Sequence, residues 1–157
     1  MGEINNKNKW MSFALKEAEK ALKIDEVPIG AVIVKDNNII GRGYNQVEGL
    51  VDSTAHSEII AITSAANFLG DWRLNDCSIY TTKEPCLMCY GAILNSRIAN
   101  IYYGFSDADK GFRMRLNKEL VLYRNHLKNI EGNILHLDCK ILVDDFFKSK
   151  RKKNKNS

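Results

Sequence analysis

Thr54-Ala55-His56-Ser57-Glu58-Ile59, followed about one helix and one strand later by Glu84-Pro85-Cys86-Leu87-Met88-Cys89, is the stretch on which the fold of this 157-residue chain turns. Its halves supply three borderline-soft metal ligands, His56, Cys86 and Cys89, and one carboxylate, Glu58, that is not needed as a ligand. That is the inventory of a zinc site with an open fourth position, which serves chemistry rather than scaffolding. Cys86 and Cys89 stand one helical turn apart, so both thiols can reach a single ion. Proline favours the first helical position, so Pro85 places both thiols in or near a first turn, where the dipole and free N–H groups favour thiolate. His56 and Glu58 would lie about 200° apart on a regular helix, so they share a site only if His56 stands near the helix start. Thr54 or Ser53 is the expected N-cap.

His-x-Glu followed by Pro-Cys-x-x-Cys is the pattern of the zinc-dependent nucleobase deaminases. A lone Cys-x-x-Cys also fits redox and structural zinc sites. A structural site normally uses four protein ligands, however, and no fourth Cys or His lies near either half. The similarity extends through Val27-Pro28-Ile29-Gly30-Ala31-Val32, Gly43-Tyr44-Asn45, Tyr90-Gly91-Ala92-Ile93 and Ser96-Arg97-Ile98 to Asp145-Phe146-Phe147. Over about residues 10 to 151 the chain resembles the bacterial tRNA-specific adenosine deaminases, within the cytidine/deoxycytidylate deaminase superfamily. The resemblance implies a three-layer α/β/α cytidine-deaminase-like fold, one Zn2+ per chain, a homodimer and a tRNA anticodon stem-loop as partner. It also implies that Asn45 contacts the target base and Ile29 lines its pocket. On spacing alone Asn45 reads as a strand-end turn residue and Ile29 as core.

The chain departs from the family in two places. In the signature the family usually has Pro where Ser53 stands here and Ala where Ser57 stands, and neither change touches a ligand. After Lys110-Gly111 the family continues with small, glycine-rich residues, whereas this chain has Phe112-Arg113-Met114-Arg115 and reaches Asn125-His126 sooner. Arg113, Arg115, Lys118 and Arg124 could grip phosphates or simply form a solvated face; His126 matches a family His.

With 45% hydrophobic residues, the length suits one core, so residues 1–157 are expected to form a single domain. The N-terminus lacks a secretory pattern and no apolar run approaches the roughly 18 to 20 residues that span a bilayer. A reducing cytoplasm is expected, with Cys77 and Cys139 as buried small hydrophobes. The net charge of +4 conceals a division: residues 148–157 hold Lys148, Lys150, Arg151, Lys152, Lys153 and Lys155 without an acid, leaving 17 basic against 19 acidic residues elsewhere. Such a tail suits a polyanion or a frayed, solvated terminus.

Hydrophobic periodicity predicts a helix over 9–23, strands over 29–35 and 39–45 joined as a hairpin, and a loop over 46–54. A helix over 55–69 closed by Gly70, a strand over 77–82, a helix over 85–95 and a strand over 99–105 follow. Residues 107–115 read as loop, 116–124 as a short helix, 133–137 as a fifth strand and the segment around Cys139, Leu142, Val143 and Phe146 as a final amphipathic helix. This order implies a mixed five-stranded α/β sheet covered by helices on both faces.

The expected reaction is hydrolytic deamination, with Glu58 handling protons beside a zinc-activated water. The leading substrate is the wobble adenosine of a tRNA anticodon loop. Free nucleobases or nucleosides such as guanine or cytosine are the alternative, and a non-catalytic zinc-binding module is the third. A purely structural site has no use for Glu58.

Overall fold

The computed structural model describes residues 2–116 and 126–157. Helix α1 (Gly2–Lys23) precedes a hairpin of β1 (Gly30–Lys35) and β2 (Asn38–Tyr44). The hairpin turns on Asp36 and Asn37, both in the left-handed region at φ 48° and 58°, as a two-residue type I′ loop requires. A single turn, α2 (Val47–Leu50), leads to α3 (Ser57–Leu69), which Gly70 closes at φ 66°. Then come β3 (Ser78–Lys83), α4 (Leu87–Asn95), β4 (Asn100–Phe105), the short α5 (Phe112–Arg115), β5 (Asn129–Glu131) and α6 (His136–Lys155). The sheet runs β2-β1-β3-β4-β5, antiparallel through β3 and parallel beyond it.

Side chains alternate across the strands, so each strand serves two cores. Ala31, Ile33, Ile79, Ile101 and Tyr103 meet Ala61 and Ala65 of α3 and Tyr90 and Ile93 of α4. Val32, Val34, Tyr80 and Tyr102 face the other way, toward Trp10, Met11 and Ala14 of α1 and Cys139 and Val143 of α6. The mixed five-stranded sheet with helices on both faces is the expected α/β/α arrangement. Cys77 and Cys139 are buried free thiols.

Close approach positions α3. A Cβ on Gly43 would lie 2.2 Å from the Ser57 carbonyl oxygen and 2.6 Å from the Ala61 nitrogen. The start of α3 therefore rests directly on the β2 backbone. Gly43→Ala is expected to cost about 1–3 kcal/mol, as overpacking does, and to lower the urea midpoint at unchanged m-value.

Several boundaries differ from expectation. α1 begins at Gly2 rather than at residue 9, because its first turns are polar and carry no apolar period. α2 and α5 are short helical turns inside the expected loops at 46–54 and 107–115. The expected strand at 133–137 is absent: Asn133 and Leu135 adopt φ of 63° and 49°, which breaks an extended run, and α6 starts at His136. The fifth strand is instead Asn129–Glu131, three residues paired to β4 and too short and polar to register as a period. The expected helix at 116–124 falls almost wholly outside the described residues; Leu116 itself is extended. The basic tail continues α6 as helix to Lys155.

Candidate active site

The ligand candidates meet where two helices begin. His56 is the N-cap of α3, with extended backbone at φ −76° and ψ 152°, and Cys86 is the N-cap of α4 at φ −73° and ψ 174°. His56 therefore stands off the helical screw, which lets it share a site with Glu58 in the first turn. Neither Ser53 nor Thr54 is the cap; the Thr54 backbone N–H and hydroxyl are both engaged by Asp52 Oδ1, at 2.8 and 2.7 Å. Likewise Pro85 precedes the cap rather than opening the helix, and Cys89 lies in its first turn.

His56 Nδ1 lies 3.6 Å from Cys86 Sγ and 3.5 Å from Cys89 Sγ, and the three donor atoms are mutually within 4.8 Å. A tetrahedral ion with bonds of about 2.0 Å to nitrogen and 2.3 Å to sulfur has N···S edges of about 3.5 Å. The donor set thus fits a tetrahedral cation. A hydrogen bond from Cys89, with His56 adding to it, holds the Cys86 thiol well below the ordinary thiol range, which favours the thiolate there. The same contact to Cys86, with burial, raises Cys89, and the hydrogen bond to Cys86 raises His56.

Glu58 is buried beside this group, its Oε2 3.5 Å from Cys89 Sγ. Two hydroxyls hold the carboxylate: Ser57 Oγ donates to Oε2 at 3.0 Å and Thr81 Oγ1 lies 3.3 Å from Oε1. His56, Glu58 and Cys86 border a cavity of about 760 Å³, whose walls include Ile29 and Asn45. Asn45 is buried and donates its backbone N–H to the Ile29 carbonyl at 3.0 Å, so the two pocket residues are tied together. Lys83, Lys110 and Lys150 bring cationic groups to the same cavity, with Phe146 and Phe147 of α6.

Sequence reasoning missed Glu84. It is buried, and its carboxylate accepts the backbone N–H of Asp107 at 2.9 Å and of Arg113 at 3.1 Å. Lys83 adds an ion pair to Asp107 at 2.7 Å. Phe112 donates its N–H to the Pro85 carbonyl at 3.0 Å, so the whole 107–113 segment is clipped to the entry of α4. The bulky departure from the family pattern has a structural use as well: Phe112 is fully buried and stacks on Tyr90 with centroids 4.2 Å apart. Arg115 is engaged locally by the Asp109 carbonyl at 2.9 and 2.7 Å, and His126 is exposed. Lys118 and Arg124 lie outside the described residues.

The sequence profile of the MafB19-like deaminases matches residues 5–151. A tRNA-specific adenosine deaminase of Streptococcus pyogenes is 42% identical over 153 residues, covering 94% of each chain. A solved structure from work on A-to-I editing by tRNA:A34 deaminases at the wobble position superimposes with a TM-score of 0.78 at 36% identity, covering 85% of this chain and 98% of that one. A guanine deaminase from Bacillus subtilis is 40% identical in its structural match, but at a TM-score of 0.61 and over only 64% of this chain and 65% of its own. The chain belongs to the MafB19-like deaminases. It also belongs to the family of the tRNA-specific adenosine deaminases.

Proposed function

We propose that the chain converts the wobble adenosine of a tRNA anticodon loop to inosine by hydrolytic deamination, with His56, Cys86 and Cys89 holding one zinc ion and Glu58 carrying protons. The observation that carries this reading is the convergence of His56, Cys86 and Glu58 on one cavity, with Cys89 beside them in the same donor group. Similarity to tRNA-specific adenosine deaminases along 94% of the chain supports the substrate.

Zinc supplies Lewis acidity when bound there, making a water acidic enough to lose a proton near neutral pH. The Glu58 carboxylate would accept that proton and deliver it to the ring nitrogen beside the amino-bearing carbon, then carry the second proton, from the added hydroxyl, to the departing amine. Water adds at that carbon, its C–N bond breaks and ammonia leaves. Asn45, with a donor and an acceptor on one amide, suits recognition of a base edge, and Ile29 gives the ring an apolar wall. Helix α6 extends the cationic surface from Lys150 through Arg151, Lys152, Lys153 and Lys155, a form suited to RNA phosphates. An anticodon base is already single-stranded, so placing it in a closed pocket requires little unstacking.

The same reading takes the chain as one deaminase domain working in the cytoplasm as a homodimer. Among the described residues no helix is long and apolar enough to cross a membrane. α4 turns Cys89, Tyr90 and Ile93 into the core and leaves Leu87 and Met88 exposed, an apolar patch available to a second copy.

Incubation with an anticodon stem-loop and, separately, with free adenosine, guanine and cytidine tests the substrate. Inosine is expected in the stem-loop at a kcat/KM at least a hundredfold above that for any free compound, on the scale of about 3 kcal/mol of remote binding energy. Turnover confined to the free compounds would sink the assignment.

A further inference from the structure

Glu58 carries two hydroxyl donors, one on each oxygen, that neither the metal group nor substrate recognition requires. Ser57 Oγ is 3.0 Å from Oε2 and Thr81 Oγ1 is 3.3 Å from Oε1. All three residues are buried, Ser57 and Glu58 on α3 and Thr81 on β3, at 1%, 4% and 0% exposure. Strand alternation sets Thr81 on the same sheet face as Ile79, toward α3. The clamp thus spans two elements 23 residues apart in sequence. Thr81 Oγ1 also lies 3.2 Å from the Lys83 carbonyl, so its single proton has two acceptors within reach.

We propose that Ser57 and Thr81 are positioning residues that fix the Glu58 carboxylate between the thiol group and the cavity. The proposal rests on Glu58 as the proton carrier. A glutamate side chain has three rotatable bonds, and proton transfer needs the acceptor within hydrogen-bond reach of its donor. Two hydroxyls on two rigid elements remove that freedom before substrate arrives. Ser57, at the shorter distance, makes the larger contribution.

The test compares zinc-loaded wild type with Ser57→Ala, Thr81→Val and Thr81→Ser in deamination of an anticodon stem-loop, reading kcat, KM and bound zinc. Loss of either hydroxyl is expected to lower kcat about three- to tenfold, the scale of one hydrogen bond, with KM and zinc content unchanged. Thr81→Ser, which loses a methyl but keeps the hydroxyl, is expected to restore the rate that Thr81→Val loses. In a Glu58→Gln background Ser57→Ala adds no further loss. Wild-type kcat in both Ser57→Ala and Thr81→Val overturns the proposal alone, as does an equal fall in Thr81→Ser and Thr81→Val. A wild type inert toward the stem-loop removes the functional reading and this proposal with it.

Discussion

Glu58→Gln is expected to abolish turnover of the anticodon stem-loop, by roughly a thousandfold or more, while leaving zinc content and thermal stability close to wild type. The amide preserves the volume of a side chain only 4% exposed, so no cavity opens. Its oxygen can still accept from Ser57 or Thr81, which keeps the local packing. What disappears is an oxygen able to take a proton and pass it on, and general acid–base groups contribute about 10²–10⁴ in rate. Because Glu58 is not among the donors His56, Cys86 and Cys89, metal binding should survive. Rate and bound zinc measured on one preparation decide the point. Wild-type turnover in Glu58→Gln would remove Glu58 from the chemistry, and loss of zinc would make it a ligand instead.

The second large effect belongs to Cys89. Cys89→Ser exchanges a fully buried sulfur for a smaller, harder oxygen whose proton is much more difficult to lose. Zinc affinity is expected to fall by more than about a hundredfold, since even the loss of a residue that merely orients a ligand costs 10- to 100-fold. Deamination should fall with it, and excess zinc should restore part of the rate. Metal analysis after dialysis against a weak chelator, with the melting temperature recorded in both states, checks this outcome. Full zinc retention in Cys89→Ser would show that the thiol is not a ligand.

Why was so much of the donor group legible beforehand? His56, Glu58, Cys86 and Cys89 are encoded as local spacings, and the bends that join them are written in residues such as Gly70, Asp36 and Asn37. The major helices and four strands followed from periods of 3.6 and 2. The misses have a common cause in contacts that no local window contains. Glu84 meets Asp107 and Arg113 across 23 and 29 residues, and Thr81 meets Glu58 across 23. Nothing near Glu84 says that its carboxylate will be buried; the only hint is an acid between a β-rich strand and Pro85. The strand Asn129–Glu131 is defined by its pairing with β4 rather than by its own side chains. Thr54, a good cap by type, was lost to the competing turn at Asp52. The basic tail obeys a weaker rule: lysine and arginine tolerate a helix well, so α6 runs on through residues that suggested fraying.

The placement of the two caps has a mechanical meaning. His56 follows β2, the outer strand of the antiparallel half, whereas Cys86 and Cys89 follow β3, where the parallel half begins. The strand β1 separates β2 from β3 in the sheet. An ion gripped by all three donors would therefore act as a rivet across the seam between a hairpin and a βαβ unit. Its binding energy would be added to the cohesion of those two subassemblies as well as to the reaction.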